Sequence, residues 1–146
     1  MKLDLNYNKH MITFNNEEIE VYEEISTKDK IAIIAVAIEE SLKYGSVPSR
    51  IAFEATIGAL MCFKYSNIEV EDLGNKDVLD DYDIFVNSGF LPTLMNEIDK
   101  DDYTKLIKYA DQAFETALVY YNSGASILET TLKLGLLEAA NKVEDK

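Results

Sequence analysis

The sequence has little of the residue types that build common catalytic and metal sites. Its 146 residues include one cysteine (Cys62), one histidine (His10), one arginine (Arg50) and no tryptophan. A single cysteine excludes an internal disulfide framework, and a structural zinc site needs about four Cys or His ligands. Nucleophilic catalysis by Ser or Cys usually needs a base such as His, and we place His10 in a surface turn. We therefore expect a protein that is not an enzyme and has no cofactor, catalytic residue or bound metal.

Glycine and proline are also scarce, with six and two copies, whereas 47% of the residues are hydrophobic. This composition excludes a disordered or collagen-like chain and fits one globular domain with a sizeable core. The longest apolar run, 31–38, is too short to span a bilayer, and the first six residues lack an apolar stretch of the signal-peptide type. We expect a soluble protein of a reducing compartment without a membrane partner.

Positive charge is scarce relative to negative charge, because 27 Asp and Glu face 14 Lys and Arg, for a formal net charge of −13. The segment 66–102 holds eleven acids and two lysines, so it alone carries −9. A nucleic-acid groove needs clustered cations, and an anionic membrane surface attracts basic segments. We therefore expect no direct nucleic-acid binding, and we interpret the acids as a solvated face.

The first 25 residues have the pattern of strands. The segments 12–14 and 19–22 alternate apolar and polar residues, and Asn15 and Asn16 between them tolerate the left-handed backbone of a tight turn. Residues 3–7 alternate too and are a candidate third strand. We predict a small N-terminal β-hairpin over 1–25, which must lean on the rest of the chain for stability.

The residues from 26 to 146 predict a helical domain of about five to six helices that folds as one unit. Ser26 is a suitable N-cap for the first helix, Gly45 its stop, Pro48 a first-turn residue of the second, and Asn75 a cap of the third. The predicted helices cover about 26–44, 48–63, 75–87, 92–98, 101–123 and 126–141. The fold class is thus mainly α with a small β-hairpin. The predicted core comprises Ile34, Ile38, Phe53, Ile57, Leu60 and Phe63.

The second helix carries a candidate interface. Its small residues would let another helix approach closely, and an Arg50–Glu54 ion pair lies at one end of the stripe. We interpret that pair as structural; the alternative is that Arg50 reaches a carboxylate on a neighbouring subunit. The stripe predicts a homo-oligomer, unless a C-terminal helix with Leu128, Leu132, Leu136 and Ala139 covers it within one chain. The candidate interface residues are Arg50, Glu54, Ala55, Gly58, Ala59 and Cys62.

Two acidic motifs share features with metal sites but lack the residues that such sites require. The segment 72–77 offers oxygen ligands but lacks the sixth-position Gly and twelfth-position Glu of an EF-hand. Asp77, Asp80 and Asp81 share one face of the predicted third helix, yet a two-metal nuclease would also need cations to hold phosphate. A solvated face near a helix N-terminus is the favoured interpretation.

Three segments together resemble a known class of protein: Ile12-Thr13-Phe14-Asn15-Asn16-Glu17-Glu18-Ile19-Glu20-Val21 leading into Lys28-Asp29-Lys30-Ile31, then Phe63-Lys64-Tyr65-Ser66-Asn67-Ile68, then Asp81-Tyr82-Asp83. They resemble the small acidic helical proteins in the structural gene blocks of tailed phages that infect AT-rich Gram-positive bacteria. The resemblance spans about residues 12–90, and it carries over no site residues.

The resemblance implies a virion-associated or assembly protein, such as an inner-core, connector-associated or tail-assembly component. Such a protein would contact copies of itself and other virion or assembly proteins, in the host cytoplasm during assembly and in the virion. The alternative is an acidic DNA mimic that inhibits a DNA-binding enzyme, for which the acids of 69–83 are the candidate feature.

Overall fold

A computed structural model describes residue 1 and residues 7–69 and 77–122 of the chain. The protein is mainly helical with an N-terminal two-stranded antiparallel hairpin, which confirms the predicted fold class. The elements are β1 (Lys9–Phe14), β2 (Glu17–Tyr22), α1 (Thr27–Ser41), α2 (Arg50–Lys64), α3 (Val78–Asn87), α4 (Phe90–Glu97) and α5 (Lys100–Asn122). The candidate third strand and the predicted C-terminal helix lie outside the described residues, except for Tyr7.

The hairpin turns where the sequence predicts it. Asn15 and Asn16 both have positive φ, 50° and 66°, as a two-residue turn between right-twisted strands requires. The strands pair from Phe14↔Glu17 to Lys9↔Tyr22. Alternation then directs Ile19 and Val21 into the core, where both are buried.

Backbone hydrogen bonds join the hairpin to the helices. Tyr22 N–H donates to the carbonyl of Tyr65 just after α2, at 2.8 Å, and Asn67 N–H donates to the carbonyl of Glu20 at 3.1 Å. In the connection between α4 and α5, Asp99 N–H donates to the carbonyl of Glu23 at 2.9 Å. An isolated two-stranded hairpin is only marginally stable in water, and these hydrogen bonds to the helical part of the chain stabilise it.

Helix α1 begins as predicted and ends early. The Ser26 hydroxyl accepts the N–H of Asp29 at 3.0 Å, which confirms the cap, whereas the Asp29 carboxylate faces Lys64 Nζ at 3.4 Å. The helix ends at Ser41 and not near residue 44. Leu42 N–H bonds back to Glu39 in a tightened last turn, and Gly45 lies beyond the helix in open space.

The starts of the later helices also differ from the predicted ones. Ser49 caps α2 by accepting Ala52 N–H, so Pro48 precedes the helix instead of forming its first turn. Asp77 caps α3; the predicted cap, Asn75, lies outside the described residues. Helix α4 starts two residues before Pro92. Asp99 accepts Asp102 N–H, and α5 accordingly begins at Lys100.

The core lies between α1 and α2 and extends to the other elements. Ile34, Ile38, Phe53 and Ile57 are buried as predicted, whereas Leu60 and Phe63 are only partly buried. Phe63 still packs edge-on against Phe85 of α3, with ring centroids 5.2 Å apart. None of the helices within the described residues is long and apolar enough to cross a membrane.

Candidate functional site

The four small residues of the candidate interface are buried within the chain. Ala59 and Cys62 have no exposed surface, and Ala55 retains 8%. A Cβ atom on Gly58 would lie 3.0 Å from Cε2 of Tyr82 in α3 and 3.3 Å from Cδ2 of Leu91 in α4. The close approach that small residues permit therefore takes place between helices of one chain. Self-association stays a prediction, and of the six candidate interface residues Arg50 and Glu54 are the ones with exposed side chains.

Arg50 makes the predicted pair with Glu54, with Nε donating to Oε1 at 2.9 Å. Its second partner is Asp111 of α5, reached by Nη2 at 2.5 Å in the same chain. The guanidinium carbon also lies over two rings, 5.5 Å from the centre of Phe53 and 4.9 Å from that of Phe114. The only arginine thus ties α2 to α5 across a pair of rings whose planes are tilted by 32°.

A groove of about 400 Å³ begins at this Arg50 bridge. One face of α2 forms its floor, with Phe53, Ile57 and Met61 at helical spacing. Leu91 and Met95 of α4 form one wall, together with Tyr82 of α3, and α5 forms the other with Tyr103, Ile107 and Ala110. The floor residues are buried, while Leu91, Met95 and Ile107 are half-buried and line the opening.

The polar groups of the groove gather at the Arg50 end. Glu54 and Asp111 share one guanidinium, so this end carries two carboxylates against one cation. Burial raises the pKa of Tyr103, and the negative charges of Glu54 and Asp111 raise it further. Both carboxylates line the same groove as Tyr103. The groove can therefore accept apolar groups along α2 and a cation near Glu54 and Asp111.

A second polar cluster is buried where the connection between β2 and α1 meets the first turn of α1, the residue after α2 and the first turn of α5. Lys30 Nζ lies 2.6 Å from Asp102 Oδ1 and donates to the carbonyl of Ile25 at 2.8 Å. Asp102 Oδ2 accepts the hydroxyl of Tyr65 at 2.7 Å and the N–H of Ile25 at 3.1 Å. Burial, together with the bonded Asp102 carboxylate, raises the pKa of Tyr65 above its usual value. The four groups bond to one another, and this arrangement fixes the junction of these elements.

His10 lies in strand β1 and not in a turn. Strand pairing places it opposite Val21, and its Nε2 lies 2.7 Å from Oε2 of Glu97 in α4. Its Nδ1 is 4.0 Å from a Glu23 oxygen. The ring thus links the hairpin to α4.

Three other candidates for catalysis or metal binding, Cys62, Asp77 and Asp81, are buried or cap a helix. Burial raises the pKa of the Cys62 thiol to about 12, which keeps it protonated and unreactive near neutral pH. Asp81, expected on a solvated face, is buried, and Asp77 accepts Leu79 N–H as a cap. Most of the calcium-like segment 72–77 lies outside the described residues. Across residues 7–69 and 77–122, no three His, Cys, Asp or Glu side chains are grouped to hold a metal ion.

Sequence reasoning found Arg50 and Glu54 but missed the groove that starts beside them. The α5 side of the groove has a local signal, because Tyr103, Ile107 and Asp111 recur every four residues. The pairing of Arg50 with Asp111 has none, since 61 positions separate them.

No protein-family model, curated protein or solved structure matches the chain.

Proposed function

We propose that the chain is a non-enzymatic phage virion-associated or assembly protein that acts through protein–protein contacts. The observation that carries the proposal is the apolar groove between α2, α4 and α5, whose half-buried Leu91, Met95 and Ile107 face its opening. A partner that covers these apolar side chains removes them from water, and this removal favours binding. The component would belong to the inner core, the connector or the tail-assembly apparatus.

The arrangement of the phage-like segments supports the proposal. Ile12–Val21 forms most of the hairpin, and the segment 63–68 lies directly against it through the Val21↔Ser66 bridge. The segment 81–83 belongs to α3, whose Phe85 packs on Phe63. The first hairpin segment, the segment 63–68 and the helix that contains 81–83 thus lie next to one another in the fold.

Net charge supports a protein partner over nucleic acid. At −13 the chain repels phosphate backbones, while its acids keep it soluble during assembly in the host cytoplasm. We propose other virion or assembly proteins as its partners, together with further copies of the chain.

No observation on the described residues favours the DNA-mimic alternative. It depends on the acids of 69–83 being displayed in rows, and two of those acids have other surroundings: Asp77 caps α3 and Asp81 is buried.

The test is fractionation of assembly intermediates from cells infected with a phage that encodes the chain. The tagged protein should co-sediment with heads, connectors or tails, and deletion of its gene should stop assembly at one intermediate. Normal particle yield after deletion, with the protein recovered on a host DNA-binding enzyme, would refute the proposal in favour of the alternative.

A further inference from the structure

We infer that the groove binds one amphipathic helix of a partner protein, with aliphatic side chains along α2 and a Lys or Arg against Glu54 and Asp111. The inference rests on the proposed function only for the origin of the partner, a virion or assembly protein. Its physical basis is the shape, lining and charge of the groove.

One continuous face of α2 lines the groove. Its floor runs along α2 from Arg50 to Met61, a distance of about 16 Å at the rise of an α-helix. Residues of α3, α4 and α5 complete the lining beside this face of α2. A trough of this length accommodates about three helical turns, and an amphipathic helix would fill it with side chains at i, i+3 or i+4, and i+7.

The lining selects aliphatic side chains. Met61 on the floor and Met95 on the wall have flexible thioethers that adapt to a guest's shape. Ile57 and Ile107 add branched apolar surface. A partner side chain that enters here exchanges water for apolar contact, and this exchange drives binding.

The charge at one end gives the partner a direction. Glu54 and Asp111 are 62% and 47% exposed at the side chain, and Arg50 neutralises only one of their two charges. Because Arg50 also bridges α2 and α5, that end of the groove is closed by a polar group. A cation on the partner helix is attracted here, whereas an anion is repelled.

The experiment uses the full chain and a synthetic peptide of about 16 residues, stapled to be helical because short isolated helices are marginal. The peptide carries Leu at i, i+3 and i+7 and Lys at one end; a matched peptide carries Glu in place of Lys. Fluorescence anisotropy should give a lower Kd for the Lys peptide. Equal binding of both peptides, or no binding of either, would overturn the inference.

Variants locate the binding. Met95→Asp and Ile107→Asp, on opposite walls, should each raise the Kd about tenfold or more by placing a charge among apolar groups. Glu54→Lys should raise the Kd of the Lys peptide about three- to tenfold. The control Glu17→Lys makes the same charge change at the hairpin turn and should leave the Kd unchanged. Circular dichroism establishes that each variant is folded; a folded wall variant with unchanged Kd would overturn the inference.

The same groove has two other conceivable occupants, and crosslinking separates them. A photoreactive phenylalanine at position 95 of the full chain should crosslink the Lys peptide. A crosslink in the free protein to its own residues 123–146, or to a second copy, would overturn the inference. Co-sedimentation with phage particles despite failed peptide binding would leave the proposed function standing without this groove. Peptide binding without particle association would retain the groove and remove the phage role.

Discussion

Lys30 and Asp102 form a buried ion pair that joins the first turn of α1 to the first turn of α5, with 2.6 Å between Nζ and Oδ1. Their side chains are only 5% and 8% exposed. Two buried charges are tolerated when further hydrogen bonds satisfy them, and here the backbone of Ile25 and the hydroxyl of Tyr65 do so. The pair therefore holds α1 and the connection before it to the end of α2 and to α5, which lies more than 70 positions later in the sequence.

Removal of one member of this pair should be strongly destabilising. Lys30→Met leaves the Asp102 carboxylate buried without its cation and should lower the free energy of unfolding by about 3–5 kcal/mol. Urea denaturation measures the change. The control Lys64→Met removes a half-exposed pair with Asp29 and should cost less than about 1 kcal/mol. Equal losses in the two variants would contradict the buried role of Lys30.

A side chain at Gly58 should crowd α3 and α4. Gly58→Ala places a Cβ 3.0 Å from Tyr82 and 3.3 Å from Leu91, and overpacking of about 1–3 kcal/mol is offset by the roughly 1 kcal/mol that Ala gains over Gly inside a helix, so the free energy of unfolding should fall by about 0–2 kcal/mol. The double variant Gly58→Ala with Tyr82→Ala should show a smaller penalty for the added methyl than the single variant does. Additive losses in thermal melts would show that Tyr82 is not the obstacle.

Alkaline pH should destabilise the protein in part through Cys62. Burial raises the pKa of its thiol from 9.0 to about 12 in the folded state. The folded protein therefore holds the proton more tightly, so this contribution is fully present below pH 9 and is lost as pH rises from about 9 to 12. The slope from one such group is at most about 1.4 kcal/mol per pH unit.

Urea midpoints at pH 8 and pH 10 measure this loss. Cys62→Ala should lower stability at both values yet show a smaller difference between them. Tyr65, whose pKa burial and Asp102 also raise, keeps part of the dependence in the variant. An unchanged difference after Cys62→Ala would contradict burial of the thiol.

The hairpin turn should depend on the residue at position 16. Asn16 has φ of 66°, a conformation that costs roughly 1–2 kcal/mol for residues with an ordinary Cβ and little for glycine. Asn16→Val should therefore lower the free energy of unfolding by about 1–2 kcal/mol, while Asn16→Gly should preserve or slightly raise it. Thermal melts followed by circular dichroism compare the two variants. A Val variant as stable as the Gly variant would refute the left-handed turn.

The sequence by itself determined the features that depend on neighbours along the chain. Asn15-Asn16 predicts the turn because few residues accept positive φ, and Ser26 predicts the start of α1 because its hydroxyl lies within reach of the Asp29 amide. The C-terminal end of α1 and the starts of α2, α4 and α5 were less accurate, because alternative caps such as Ser49 and Asp99 lie within a few residues of the predicted ones.

Only the tertiary structure decided which side chains meet across the chain. Lys30 reads as an ordinary helix-surface lysine until Asp102, 72 positions later, is placed beside it. The stripe around Gly58 predicts a close helix contact, but its spacing is the same whether the approaching helix belongs to this chain or to another. The groove beside Arg50 arises from four helices at once. Local hydrogen bonding and periodicity act over a few residues, whereas a groove depends on how separate helices pack, and the sequence pattern of one helix does not encode the position of the next.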